Sequence, residues 1–149
     1  MSEPVKKWIK FCTGEFVSIL LDSSFLIALA NERDINHSCA VALMKEIHNH
    51  EFGQIVITDY VFDETVMYIL VRTSAGKAVE LGQKLRSAEV QFKHTSELDF
   101  ENAWALFQQK RNLSFTDCAI VECMKEYAIK YLASFDKGFE QFKEIKLLK

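Results

Sequence analysis

Two short apolar runs that each end at an aspartate constrain the fold of this chain most strongly. Residues 16–21, FVSILL, are followed by Asp22, and residues 131–135, YLASF, are followed by Asp136. A short apolar run bounded by polar residues is typical of a strand that a parallel sheet buries on both faces. Parallel strands end at one common edge, and ligands bind beyond it. We therefore expect Asp22 and Asp136 to lie near each other at that edge.

The rest of the chain predicts helices between further short strands. The expected helices are 24–31, 36–49, one capped by Thr58 or Asp59 and ending near 72, 75–88, one capped by Ser96 and ending near 111, and 115–130. Strands are expected at 55–57, 90–94 and 145–148, with a last helical turn before the final strand. Strands that alternate with helices indicate an α/β fold with a central, mainly parallel sheet. The 149 residues suit a single domain, in which residues 1–15 form an N-terminal extension of unclear role.

Composition excludes several classes of protein. The formal net charge is −3, so the chain lacks the strongly basic surface of a tight duplex binder, although an enzyme that holds nucleic acid through a metal ion remains open. No Walker A loop, GxGxxG or GxSxG motif is present. The four cysteines form no CxxC pair, and no apolar run is long enough for a signal peptide or a membrane span. We expect a cytoplasmic protein with reduced thiols and no membrane partner.

Three acidic residues have both a structural and a functional interpretation. Asp22 suits a helix N-cap, Asp117 completes the S-x-x-D form of a capping box with Ser114, and Asp136 precedes Gly138 as a turn residue. Carboxylates at the edge of a sheet are equally suited to bind a hard cation such as Mg²⁺ or Mn²⁺. Each residue taken alone leaves the choice open.

Glu64 is harder to explain structurally. It lies in TDYVFDETVMYILV, a helix so apolar that we expect it to be largely buried. A buried carboxylate costs several kcal/mol unless it is paired or coordinated. Either an ion pair, with Arg33 or Arg72 for example, or a bound cation would satisfy it.

Taken in order, these segments resemble the PIN-domain family, and within it the VapC-like toxins of toxin–antitoxin pairs. The matching pieces are ILLDSSFLIAL, DINHSCA, ITDYVFDETV, LSFTDCAIVECM and YLASFDKGF. No single piece is specific, whereas four acids at these spacings, each in its expected local setting, are fairly specific.

The resemblance implies a three-layer fold and hydrolysis of RNA phosphodiester bonds that depends on Mg²⁺ or Mn²⁺. It makes Asp22 and Asp117 the main direct metal ligands, Asp136 a direct or water-mediated ligand, and Glu64 a ligand or the residue that positions the attacking water. It also brings the start of the Asp117 helix to the acidic site, which connectivity alone leaves open. Ser24 and Thr116 are expected to hydrogen-bond to the acids beside them.

Partners follow from the same resemblance: an RNA substrate, a cognate antitoxin and a second copy in a homodimer. Lys137 and Arg33 are the nearest basic residues in sequence for phosphate contacts. Four other hypotheses stay open. They are an RNA-processing nuclease of this fold without an antitoxin, a non-catalytic interaction module, an aspartate-nucleophile phosphohydrolase, whose usual second acid is Ser24 here, and an α/β domain whose acids are all caps.

Overall fold

Five strands and six α-helices form the protein in the computed structural model, which describes residues 17–49 and 52–149. The strands are β1 Ser18–Leu21, β2 Gln54–Thr58, β3 Gln91–Lys93, β4 Tyr131–Ala133 and β5 Lys146–Leu148. The helices are α1 Ser23–Ala30, α2 His37–His48, α3 Asp59–Arg72, α4 Ala75–Ser87, α5 Glu97–Gln109 and α6 Phe115–Glu126, and Lys137–Gln141 forms a 3-10 turn. The predicted start of the first strand at Phe16 lies outside the described residues.

The strands form one fully parallel sheet in the order β3-β2-β1-β4-β5. Leu20 in the central strand pairs with Val56 on one side and Leu132 on the other, and it is fully buried. The prediction of an α/β fold with a central parallel sheet is confirmed. Because β1 lies in the middle of the sheet, the residue that follows it lies in the middle of the sheet's carboxyl edge.

Side-chain caps specify where the helices begin. The hydroxyls of Thr58, Ser74, Ser96 and Ser114 each accept a hydrogen bond from the backbone N–H three residues further on. Such caps satisfy backbone donors that have no partner inside the helix. Of the two caps considered for α3, the structure has Thr58.

Helix α6 ends four residues earlier than predicted, at Glu126 instead of Lys130. The chain leaves the helix through Ala128, whose φ of 52° lies in the left-handed region, and the next residue, Ile129, is buried. Tyr131 then begins β4. Since the end of α6 leads directly to the start of β4, the helix runs antiparallel to the strands and begins at their carboxyl edge, which places Asp117 there.

Helix α3 is less buried than its composition predicts. Val61, Thr65 and Ile69 form the buried stripe, whereas Met67 and Val71 are 46% and 75% exposed. A helix that packs on a sheet buries only one stripe, and no other described part of the chain covers this second apolar face. No helix in the described ranges is long and apolar enough to cross a membrane, and α3, with 14 residues, is the longest.

Two glycine substitutions are expected to change stability in opposite directions. A Cβ on Gly53, whose φ is +74°, would lie 1.9 Å from the carbonyl oxygen of Val17, whereas a Cβ on Gly76 would meet only the Ser74 hydroxyl at 4.0 Å. Gly53→Ala should therefore destabilise the protein by about 2 kcal/mol or more. Gly76→Ala should stabilise it by up to about 1 kcal/mol, because alanine favours the helix. Urea unfolding measures both, and equal midpoints would contradict the expectation.

Candidate active site

Asp22 ends the central strand and is only 2% exposed. Its Oδ1 accepts the backbone N–H of Ser23 at 2.7 Å. Its Oδ2 accepts the hydroxyls of Ser24 at 2.5 Å and Ser134 at 2.6 Å. These donors offset the cost of burying a carboxylate. Asp22 is thus the N-cap of α1 and, at the same time, the centre of a hydrogen-bond network.

The two serine hydroxyls also join Asp22 to the chain that follows β4. Each hydroxyl can donate one hydrogen bond and donates it to Asp22, so its oxygen can still accept a hydrogen bond from another group. Ser24 accepts the N–H of Phe135, and Ser134 accepts the N–H of Asp136, both at 3.0 Å. The contact of Ser24 with Asp22 agrees with expectation. Ser134 was missed, and its signal was its position two residues before Asp136 in the same strand-end segment.

Asp136 lies at the exposed side of this edge. Its Oδ1 accepts the N–H of Gly138 at 2.6 Å and caps the 3-10 turn. The turn role considered from the sequence is therefore present. The backbone N–H of Asp136 donates to the hydroxyl of Ser134, which in turn donates to Asp22, and this link keeps the Asp136 backbone near Asp22.

Asp117 is 7% exposed in the first turn of α6. Its Oδ2 accepts the N–H of Ser114 at 2.7 Å and completes the predicted capping box. Burial raises the pKa of Asp117 to about 6, the hydrogen bonds from Ser114 oppose the rise, and the negative charges of Asp22 and Asp136 add to it. Asp117 therefore lies close enough to Asp22 and to Asp136 for their charges to act on it, so its role as a cap does not exclude a shared site.

Glu64 reaches the same edge from α3. It is half-buried, and its Oε2 accepts the hydroxyl of Ser23 at 2.7 Å. The ion pairs considered for it are not formed: within the described ranges no lysine or arginine lies within 4.0 Å of its carboxylate. Arg72 instead stands over the ring of Tyr68, 5.7 Å from its centre.

The structure therefore brings all four predicted acids to the carboxyl edge of the sheet. None of them has a basic partner among residues 17–49 and 52–149. Thr116 was expected to hydrogen-bond to the acid beside it, but it makes no such bond within the described residues. Lys137, considered for a phosphate contact, is exposed next to Asp136.

The donor set fits a hard divalent cation in chemistry and charge. Asp22 uses both carboxylate oxygens in the network, whereas Glu64, Asp117 and Asp136 each keep one oxygen that accepts no hydrogen bond from the described chain. Carboxylate oxygens are the ligands that Mg²⁺ and Mn²⁺ prefer. The described side chains do not include three His, Cys, Asp or Glu close enough together to be a ready-made metal site. A cation would therefore require the carboxylates to move closer together.

A groove of about 320 Å³ extends from Glu64 along the second apolar face of α3. Its lining is Glu64, Met67, Tyr68, Val71 and Arg72. The groove is therefore apolar along its length, with an acid of the site at one end and an arginine at the other.

Known proteins share this fold. The PIN domain family profile matches residues 19–145. The crystal structure of Mycobacterium tuberculosis VapC20, described as a sarcin-ricin loop cleaving toxin, superposes with a TM-score of 0.76 at 23% identity, covering 88% of this chain and 99% of that one.

Two further structures are also similar in fold. VapBC2 from Rickettsia felis, bound to a promoter DNA fragment, has a TM-score of 0.65 at 10% identity, with 87% of this chain and 96% of that chain covered. A toxin–antitoxin complex from Klebsiella pneumoniae has a TM-score of 0.62 at 20% identity, with 86% and 95% covered. No curated protein shows significant sequence similarity to the chain.

The stability of the metal-free protein is expected to depend on Asp117. A carboxyl group whose pKa is about 6 when folded and 3.8 when unfolded stabilises the fold below pH 3.8, and this contribution is lost as the pH rises through about 6. Asp117→Asn removes the effect and keeps an acceptor for Ser114. Relative to wild type, the variant should gain up to about 3 kcal/mol between pH 4 and pH 7.5. Urea unfolding in EDTA measures this, and a pH-independent difference would contradict it.

Proposed function

Since the chain belongs to the PIN domain family, we propose that it is an endoribonuclease that hydrolyses RNA phosphodiester bonds with Mg²⁺ or Mn²⁺. One observation carries this proposal. Four carboxylates, from the end of β1, from α3, from α6 and from the turn after β4, lie along one edge of the sheet without a basic partner in the described chain. Acids gathered in this way repel one another, and a divalent cation reverses that balance.

Each acid has a distinct role in this proposal. Asp22 and Asp117, both buried, are the main direct ligands, and the more exposed Asp136 is a direct or water-mediated one. Glu64 is a ligand or positions the attacking water. A bound cation would supply a water of lowered pKa and positive charge for the phosphate. The serine hydroxyls around Asp22 hold the carboxylates in place and take no part in bond breaking.

We further propose that the protein is the toxin of a toxin–antitoxin pair. One of the similar structures is a toxin–antitoxin complex, and VapC20 is described as a toxin. The groove beside Glu64 would receive an apolar segment of the antitoxin, and a basic antitoxin residue would then neutralise the unpaired acids. This arrangement would block the site until the antitoxin is removed.

A second copy of the chain is the other proposed partner. Helix α5 exposes Leu98, Phe100 and Trp104, with 67%, 42% and 44% of their surfaces accessible. Exposed aromatic residues of this kind are enriched at protein interfaces. The exposed residues of α5 are not among those that line the groove on α3, so the two proposed partners would use different residues.

Purified protein is expected to cleave structured RNA only when Mg²⁺ or Mn²⁺ is present. Asp117→Asn should abolish cleavage because it removes a buried ligand. Asp99→Asn is a matched control, since Asp99 forms the same capping box with Ser96 on α5 but is not one of the four acids of the proposed site. Gel analysis of an RNA panel with EDTA or added cation measures the effect. Equal activity of wild type and Asp117→Asn would point to a contaminating nuclease, and inactivity of both would favour a non-catalytic interaction module.

The toxin role is tested separately from the chemistry. Induced expression in a bacterial host should arrest growth for wild type and Asp99→Asn, whereas Asp117→Asn should be harmless at the same protein level. Growth curves with immunoblots measure this. A wild-type protein that cleaves RNA in vitro and leaves growth unaffected would contradict the toxin role and favour an RNA-processing nuclease without an antitoxin.

A further inference from the structure

The four acids are not held in the same way. Asp22, Asp117 and Asp136 each accept a nearby backbone N–H, at 2.7, 2.7 and 2.6 Å. Glu64 accepts no backbone donor in the described chain, and its hydrogen bond comes from the hydroxyl of Ser23, 41 residues away in sequence. The orientation of Glu64 therefore depends on one side chain, whereas the fold itself fixes the other three acids.

Ser23 donates hydrogen bonds to two acids, one from its hydroxyl and one from its backbone N–H. Its hydroxyl oxygen lies 2.7 Å from Glu64 Oε2 and 3.3 Å from Asp22 Oδ1. The hydroxyl can donate only one hydrogen bond, and the shorter distance shows that it donates to Glu64. Asp22 Oδ1 takes the backbone N–H of Ser23 instead, at 2.7 Å. Removing the hydroxyl would thus release Glu64 and leave the bond to Asp22 in place.

Without the hydrogen bond from Ser23, the Glu64 carboxylate is expected to move away from Asp22. Its side chain is long and half-buried, so solvent is within reach, and the neighbouring Asp22 carries the same charge. Ordering such a side chain costs conformational entropy that the Ser23 hydrogen bond offsets. Ser23 itself is 7% exposed at the first position of α1, which limits its own freedom.

We propose that Ser23 is a positioning residue, whose hydroxyl fixes the Glu64 carboxylate beside Asp22. This inference rests on the proposed nuclease function for its effect on cleavage, but the link between the two side chains does not. Losing a hydrogen-bond partner that orients a metal-site ligand typically lowers activity about 10- to 100-fold. Ser23 acts through Glu64, so we expect the loss in kcat, with little change in the KM for RNA.

The activity test compares three variants with wild type. Ser23→Ala should lower kcat about 10- to 100-fold. Ser23→Thr keeps the hydroxyl and should restore most of it. Ser74→Ala removes the hydroxyl that caps α4, so it reports the effect of losing a structural serine and should leave kcat unchanged. Wild-type kcat in Ser23→Ala, or equal losses in Ser23→Ala and Ser23→Thr, would overturn the proposal.

A metal-free double-mutant cycle tests the link without any activity. The melting temperatures of wild type, Ser23→Ala, Glu64→Ala and the double variant are compared in EDTA. If the hydroxyl holds Glu64, Ser23→Ala should lower the melting temperature in wild type and change it much less in the Glu64→Ala background. Additive effects would overturn the proposal. A coupled pair in a wild-type protein that cleaves no RNA would retain the link and overturn only the nuclease function.

Discussion

The buried carboxylate of Asp22 is the interaction on which the rest of the site depends. It lies at the end of the central strand, where its own N–H donates to Ala133 of the neighbouring strand at 3.0 Å. Hydroxyls from α1 and from the end of β4 converge on it. A carboxylate in this position is tolerated only with such donors. The same donors join the corner between β1 and α1 to the segment after β4, so satisfying one buried charge also helps to assemble the site.

The acids of the site differ from ordinary helix caps in their electrostatic environment. Ser96 and Asp99 on α5 form the same capping box as Ser114 and Asp117 on α6. Only Asp117 lies buried near two further aspartates, which raise its pKa together with burial. Identical local motifs thus acquire different properties through their tertiary surroundings. The structural roles inferred for the acids are real, and they coexist with the proposed role in binding a cation.

The features that sequence predicted were those encoded locally. The strand end at Asp22 and the caps Ser96 and Ser114 follow from short patterns, and the structure has them. The second strand ends earlier than predicted, at Ala133, three residues before Asp136. The early end of α6 depends on Ala128 in a left-handed conformation, which alanine does not signal.

The remaining features depend on tertiary contacts that no local pattern carries. The apolar composition of α3 predicted that the helix is largely buried, yet composition does not show whether an apolar face packs within the chain or against another molecule. The contacts of Ser23 and Ser134 join residues 41 and 112 positions apart, so only the fold reveals them.

Isothermal titration of Mn²⁺ into metal-free protein tests whether the four acids bind a cation, and it needs neither a known RNA nor a known partner. Wild type is expected to bind Mn²⁺, and Asp22→Asn, confirmed as folded by circular dichroism, is expected not to bind it in the same concentration range. Equal Mn²⁺ affinity of the two folded proteins, or no binding by wild type, would contradict the assignment of these four acids to a cation site.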